Sequence, residues 1–255
     1  MILRAGRACA ALLLAVPASA LATEAPSAPA TAAEASAAKN TPAGPDAVDA
    51  SFGLSSGLVT RGISLGSGGP AVQAQATWHA SSGWFAGIGA GSFGAPWSRS
   101  QTLQFHARVG HALRLSPDWS AQLGYAYYGY PLDAPLRRFE YDELGLSVGY
   151  RDLAFLSVSR WLGRRWVLDR HGLDTAVDLV LRHPLAASLD AAAGVGHRVV
   201  DGSFRHGYGY GHAGLVWRFE AVQSSLSYIV TTARAERWFG AKAADRWAAS
   251  VTWSF

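Results

Sequence analysis

The sequence beyond Val48 alternates between apolar and polar residues with a period of two, in segments of about ten residues. The segment TLQFHARVG at 102–110 is an example, with apolar residues at the odd positions and Gln104, His106 and Arg108 between them. Successive side chains of a strand point to opposite faces, so each segment predicts a β-strand with one apolar and one polar face. A length of about ten residues also matches a tilted strand that crosses a bilayer.

The connectors between these segments are of two kinds, which also alternate along the chain. Turn-forming residues predict tight turns at Ser81-Ser82-Gly83, Ser116-Pro117-Asp118, Arg151-Asp152, His183-Pro184 and Phe219-Glu220. Longer links lie near 61–69, 94–100, 131–137, 163–171, 199–206 and 234–244. The segments that they separate number 12. An even number of strands, with short turns on one side and long loops on the other, predicts an all-β, transmembrane, antiparallel up-and-down β-barrel over residues 48–255.

A soluble antiparallel sandwich would show the same alternation, so the placement of aromatic residues is used to choose between the two folds. Five aromatic residues flank the short turns: Trp78, Trp84, Trp119, Trp217 and Phe219. Five others lie toward the long loops: Tyr128, Tyr130, Trp161, Tyr208 and Tyr210. Two such groups predict aromatic girdles at the two membrane interfaces, and only 16% of the residues are charged. Both observations favour the membrane barrel.

The N-terminal residues 1–22 predict a cleaved secretory signal, because Arg4 and Arg7 precede an apolar run and the small residues Ala18-Ser19-Ala20. Residues 23–47 are mostly Ala, Pro, Ser and Thr, which predicts a disordered periplasmic segment. Without the signal, 20 basic residues stand against 18 acidic ones, a net charge of +2. This weak excess argues against nucleic acid as a partner. Export and a barrel fold together predict the outer membrane of a Gram-negative bacterium.

The last segment, DRWAASVTWSF, alternates up to Phe255 and predicts a twelfth strand that closes the barrel. In this interpretation Val251, Trp253 and Phe255 face lipid, and Ser250, Thr252 and Ser254 face the lumen. A terminal aromatic residue on such a strand resembles the signal by which the outer-membrane assembly machinery recognises its clients. We therefore expect that machinery to be a partner through Phe255.

The stretch at 52–93 resembles the opening of the Gcw_chp family of small bacterial outer-membrane proteins, also labelled TorF-family porins. The matching elements are Arg61-Gly62-Ile63-Ser64 at the end of the first strand, Pro70-Ala71-Val72-Gln73 after a glycine-rich loop, and Ser82-Gly83-Trp84-Phe85 at a turn. The resemblance implies an outer-membrane β-barrel. The function we expect is that of a narrow porin for passive diffusion of small polar or charged solutes, with no enzymatic activity and no cofactor.

The polar face of the strands supplies the candidate pore-lining residues. They are Arg61, Gln73, Gln75, His106, Arg108, Glu143, Asp174, Asp178, Arg182 and Arg198. Charges of both signs fit a water-filled passage, and they fit equally an interior filled by cross-barrel ion pairs. A barrel of about 12 strands should leave a narrow passage. Arg61 has two interpretations of equal weight, as part of a constriction or as a structural partner of a carboxylate across the barrel.

Two other classes of function stay open. Outer-membrane lipid-modifying enzymes are also barrels that use Ser and His, and Ser203 with His206 or His212 could be those residues. The histidines show no metal-ligand spacing, so no metal site is expected. A closed structural or adhesive barrel would act through its basic loops, which suit the phosphates of lipopolysaccharide. The basic loop residues are Arg137, Arg138, Arg164, Arg165, Arg170, His171, Arg234, Arg237, Lys242 and Arg246.

Overall fold

The computed structural model describes residues 46–66, 69–94, 101–134, 136–137, 140–163, 174–200 and 206–255. Its strands are β1 (Ala47–Ser55), β2 (Val59–Thr60), β3 (Ile63–Ser64), β4 (Ala71–His79), β5 (Trp84–Gly94), β6 (Gln101–Arg114), β7 (Trp119–Gly129), β8 (Tyr141–Tyr150), β9 (Ala154–Gly163), β10 (Thr175–Ala186), β11 (Leu189–Val200), β12 (His206–Phe219), β13 (Val222–Thr231) and β14 (Arg246–Ser254). A short helix, α1 (Ala233–Phe239), and a 3-10 helix (Gly240–Ala243) lie between β13 and β14. In the described part of the chain, no helix is long and apolar enough to cross a membrane.

Strands β1 and β4 to β14 form one closed antiparallel barrel of 12 strands. The ring closes at β1, where Ser51 pairs with Ser254 of β14 on one side and with Gln75 of β4 on the other. The backbone N–H of Phe255 also donates to the carbonyl of Ala50 at 2.8 Å. Because each barrel strand has a partner on both sides, its backbone groups are satisfied without water. The predicted fold and its closing strand are confirmed.

The two faces of each strand differ as the alternation predicts. On the outer face, Val195 of β11 is 62% exposed and Ile88 of β5 is 59% exposed. On the inner face, Gln104 of β6 and Thr77 of β4 are each 1% exposed. A surface of exposed Val, Leu and Ile around a polar interior is the reverse of a water-soluble protein, and it fits a wall that faces lipid.

The short-turn aromatic girdle is confirmed. Its members are all exposed on the outer face: Trp78, Trp84, Trp119, Trp217 and Phe219. The second predicted girdle is wrong, because Tyr128, Tyr130, Tyr208 and Tyr210 are buried inside the barrel, and Trp161 pairs in register with the inward-facing Glu143. The distance of a residue from a loop sets its depth in the barrel wall. Its odd or even position along the strand, here called its parity, decides whether its side chain points inward or outward. Tyr228 and Trp247 instead occupy the outer face near the long loops, with ring centroids 5.2 Å apart.

The short turns lie where they were predicted, with one exception. The turn expected at His183-Pro184 is wrong, because β10 continues to Ala186 and the chain reverses at residues 187–188. The ladder between β10 and β11 shifts register between Pro184 and Ala186. A proline lacks the N–H that a strand ladder uses, and such an irregularity is where a strand accepts one. The predicted signal peptide and nearly all of the lead-in segment lie outside the described residues.

Candidate functional site in the barrel lumen

The first long loop contains a miniature hairpin of β2 and β3. Arg61 and Gly62 form its two-residue turn, with φ of 49° and 79°. Two successive positive φ values are typical of the type I′ turn, which favours glycine at the second position. The prediction that the first strand ends at Arg61-Gly62-Ile63-Ser64 is therefore wrong. Strand β1 ends at Ser55, and these residues form the tip of a separate hairpin.

The β2–β3 hairpin folds into the barrel instead of standing above it. Apolar side chains hold it on three sides. Leu58 packs with Phe93 and Tyr130, Ile63 packs with Tyr208 and Tyr210, and Val59 packs with Ile229 and Ala248. A Cβ atom on Gly62 would lie 2.7 Å from Thr231 Cγ2. The hairpin tip therefore reaches the inner wall formed by β12 and β13.

The last long loop packs beside the hairpin. Ala235 of α1 and Ala243 of the 3-10 helix are fully buried with Ile63. The Thr231 hydroxyl donates to the Ala243 carbonyl at 2.6 Å, which ties the loop to the end of β13. The long-loop half of the lumen is thus narrowed by two segments, the hairpin and this helical loop.

Arg61 extends from the hairpin to the opposite wall. Its guanidinium forms an ion pair with Glu143 of β8 and donates to the Ser159 hydroxyl of β9 at 2.6 Å. In the ring, β8 and β9 lie across from β1, the strand that leads into the hairpin. The Arg61 side chain is only 4% exposed. The structure shows the pairing of Arg61 with a carboxylate of the far wall, and its part in a constriction stays a prediction.

A row of aromatic rings lines the same level of the lumen. Tyr128 stacks on Tyr141 at 4.6 Å, and Tyr141 stacks on Trp161 at 4.2 Å between ring centroids. The Arg198 guanidinium lies 3.8 Å from the Trp161 ring centroid and forms an ion pair with Asp174. Cation–π contact and ion pairing both fix the arginine against the wall. Two predicted site residues, Asp174 and Arg198, are thereby brought together.

Asp178 accepts a hydrogen bond from the Tyr210 hydroxyl inside the barrel. On the other side of the lumen, Gln104 donates to the Tyr130 hydroxyl at 2.8 Å. Burial raises the pKa of Tyr130, which lies in the loop after β7, to about 12, so its hydroxyl stays protonated. These contacts make the tyrosines polar partners of the inner wall, a role that the girdle prediction missed.

The other predicted site residues also lie on the inner face. Gln73 and Gln75 are buried on β4, and His106 is buried on β6, next to Tyr128. Arg108 donates to the Thr77 hydroxyl at 2.8 Å. Arg182 lies nearer the short turns, with its guanidinium 5.8 Å from the Phe155 ring centroid. The role of these five residues as pore-lining residues stays a prediction.

Sequence reasoning missed Tyr141, Ser159 and Thr77 as lumen residues. Tyr141 and Thr77 each lie two residues from a predicted site residue of the same strand, Glu143 and Gln75, whereas the strand of Ser159 contains no predicted site residue. Extending the alternation to every polar and aromatic residue of a segment would have found them. Their contacts with residues on other strands carry no signal in a single sequence.

The described residues give little support to metal or hydrolytic chemistry. They contain no group of three or more His, Cys, Asp or Glu residues that could hold a metal ion. Ser203 lies outside them, and so does the side chain of His206. The Nε2 atom of His212 is buried without a hydrogen-bond partner in the described part of the chain. The enzyme alternative therefore stays open.

Three basic loop residues have backbone partners in the structure. Arg137 donates to the Pro131 carbonyl, Arg234 to the Gly207 carbonyl, and Arg246 to three carbonyls of its own loop. These contacts stabilise the loops and use donors that lipopolysaccharide would need. Arg138, Arg164, Arg165, Arg170 and His171 lie outside the described residues. Lipopolysaccharide binding by the loops stays a prediction.

A closed 12-stranded barrel with an apolar outer band and a charged interior is a transmembrane β-barrel of the outer-membrane class. This chain belongs to the Gcw_chp family, described as a bacterial protein of unknown function, whose family model matches residues 39–255. The match confirms the resemblance drawn from the opening motif. The TorF label stays a prediction.

Two solved structures share the fold at low sequence identity. The NanC porin has a TM-score of 0.53 and 11% identity, covering 82% of this chain and 99% of its own. The KdgM porin has a TM-score of 0.50 and 8% identity, covering 82% of this chain and 98% of its own. LpxR from Salmonella typhimurium is more distant, with a TM-score of 0.45 and 11% identity, covering 81% of this chain and 99% of its own. No curated protein matches the sequence.

Proposed function

We propose that this protein is a narrow porin through which small polar or charged solutes diffuse passively, with the β2–β3 hairpin as its constriction. The observation that carries the proposal is the charged tip of that hairpin, Arg61, inside a lumen whose wall is polar. A purely structural barrel could fill its interior with apolar side chains. Here the inner wall instead offers amides, hydroxyls and charges of both signs, which suit a hydrated passage.

The size of the barrel and its similarity to two solved structures support the same proposal. A barrel of 12 strands lies between eight-stranded barrels, which side chains fill, and barrels of 16 to 18 strands, which hold broad channels. The two solved barrels with TM-scores of 0.50 and 0.53 are named as porins. The candidate pore residues nearest the hairpin are Arg61, Glu143, Asp174, Asp178 and Arg198. The protein needs no cofactor, no energy source and no covalent chemistry for this function.

The test is single-channel conductance of the refolded chain from residue 23 onward in a planar bilayer. We expect small, steady openings for the unaltered protein. A variant in which residues 57–69 are replaced by a short Gly-Ser linker should conduct several-fold more, because the constriction is gone. A control variant with Asn-Gly in place of Ala187-Ser188, in a short turn far from the hairpin, should conduct like the unaltered protein.

The possible results separate the rival functions. Silence of both the unaltered protein and the linker variant contradicts the porin proposal. Silence of the unaltered protein with conductance of the linker variant shows a plugged barrel instead. Hydrolysis of lipid in a parallel vesicle assay, without conductance, would support the enzyme alternative.

A further inference from the structure

The lumen contains a chamber, lined by polar and apolar groups, on the short-turn side of the Arg61–Glu143 pair. The polar side chains at this chamber are Arg108, Gln122, Glu143, Ser147, Ser157 and Ser159, and the ring of Phe85 also lines it. Gly145 also lines it and leaves room at the wall, because a Cβ atom there would meet no atom within 4 Å, whereas Gly124 lies against the Phe85 ring. Arg61 contacts both Glu143 and Ser159, so the hairpin tip lies next to the chamber.

The acidic groups at the chamber already have partners. Glu143 forms its ion pair with Arg61. Asp178, on the strand next to Ser157, accepts the hydrogen bond from Tyr210. Their negative charges are therefore balanced or hydrogen-bonded before any solute enters.

Arg108 differs from three other arginines of the inner wall. Arg61, Arg198 and Arg218 each form an ion pair with a carboxylate. In the described part of the chain, Arg108 instead donates to a neutral group, the Thr77 hydroxyl, at 2.8 Å. To reach it, the side chain crosses Gly87, where a Cβ atom would lie 3.0 Å from Arg108 Nε. The wall thus positions the Arg108 guanidinium, and no carboxylate of the described residues forms an ion pair with it.

From this arrangement we infer that the chamber binds a small solute through its carboxylate group, with Arg108 as the binding cation. A guanidinium has five N–H donors and matches a carboxylate in a bidentate geometry. The amide of Gln122 and the hydroxyls of Ser147 and Ser157 supply further hydrogen bonds for the rest of a polar solute. The inference rests on the proposed porin function and names its solute class, small carboxylates.

The test uses acetate as the probe and the full barrel in detergent micelles, with the arginine Nε atoms labelled with ¹⁵N. Sodium acetate replaces sodium chloride at constant ionic strength. We expect the Arg108 resonance, identified by its absence in Arg108→Gln, to shift and reach saturation. Arg114 is the matched control, since it lies on the same face of β6, roughly 20 Å further along the strand. Its resonance should not saturate.

Conductance gives a second readout. The permeability of acetate relative to potassium should fall about tenfold or more in Arg108→Gln, the loss expected for a charge-assisted hydrogen bond. Arg114→Gln should leave this ratio unchanged. A channel that conducts while the Arg108 resonance shifts no more than that of Arg114 overturns the inference and leaves the porin proposal intact. A saturating shift in a barrel that does not conduct overturns the porin proposal and supports the binding site alone.

Discussion

Glycines on the inner face make room for large side chains of neighbouring strands. A Cβ atom on Gly196 of β11 would overlap the Asp178 carboxylate and the Tyr210 ring. A Cβ atom on Gly145 of β8, in contrast, would meet no atom within 4 Å. Two glycines with the same place in the alternation therefore have different packing roles.

Replacing these two glycines tests that difference. We expect Gly196→Ala to lower the free energy of unfolding by about 1–3 kcal/mol, because the Asp178–Tyr210 pair must move. Gly145→Ala should be neutral or slightly stabilising, since alanine restricts the unfolded chain. Urea titration of the refolded barrels, followed by tryptophan fluorescence, measures both. Equal losses would show that packing at Gly196 is not the cause.

The Arg61–Glu143 pair is the second residue-level test. Removing one partner of a buried ion pair leaves an uncompensated charge, and this typically costs about 3–5 kcal/mol. We expect Arg61→Ala and Glu143→Ala each to destabilise the barrel by about that amount, and the double variant to lose less than the sum. A double-mutant cycle in urea measures the coupling. Additive losses would contradict a direct interaction between the two side chains.

The β2–β3 hairpin is the element that the structure adds to the predicted fold. Its turn combines the positive φ of 79° at Gly62 with close packing against Thr231 and Tyr210. Any side chain at position 62 would adopt an unfavourable positive φ and would also clash with Thr231 and Tyr210. The inward position of the hairpin therefore depends on this glycine.

Limited proteolysis can detect release of the hairpin. Arg61 is a trypsin site that burial protects in the folded protein. We expect Gly62→Ala to increase the rate of cleavage after Arg61 by tenfold or more, equivalent to a loss of about 1.4 kcal/mol in hairpin closure. Gly57→Ala is the control, because a Cβ atom there makes an ordinary contact with the Gly69 carbonyl at 3.6 Å. Unchanged cleavage in Gly62→Ala would show that other contacts hold the hairpin.

At the scale of the whole molecule, closure of the barrel uses the backbone of Phe255. The N–H and carbonyl groups of Phe255 both bond to Ala50, whereas its side chain is 80% exposed. The phenyl ring of Phe255 can therefore be recognised from outside the barrel without breaking the hydrogen bonds between Phe255 and Ala50. We propose that the outer-membrane assembly machinery binds it, as a partner in addition to lipid and lipopolysaccharide.

The Phe255→Ala variant tests recognition by the assembly machinery separately from the stability of the folded barrel. The variant keeps its seam hydrogen bonds, so we expect refolding in detergent to match that of the unaltered protein. Its yield in the outer membrane of cells should fall several-fold. Trp247→Ala removes an exposed aromatic residue near the start of β14, and it should assemble normally. The heat-dependent shift in gel mobility measures folded barrel in both settings. A normal cellular yield of Phe255→Ala would contradict the proposal.

The sequence alone determined the number of barrel strands, the order of short turns and long loops, and the polar inner face. These features follow from local information, namely a period of two and residues that favour turns. The misplaced turn at Pro184 shows the limit of that information. A proline in the sequence predicts the end of a strand, but a register shift in the pairing of β10 with β11 accommodates Pro184 within the strand.

Only the tertiary structure decided what fills the lumen. Arg61 and Glu143 are 82 residues apart in the sequence, and their contact depends on a loop that folds inward across a closed ring. The tyrosines near the long loops have the parity of the inner face, but their contacts with other strands, such as Tyr128 with Tyr141 and Tyr210 with Asp178, likewise depend on the tertiary structure. A pattern along one strand records which residues share a face. It does not record which distant residues the closed barrel brings together, because that depends on closure and packing of the whole chain.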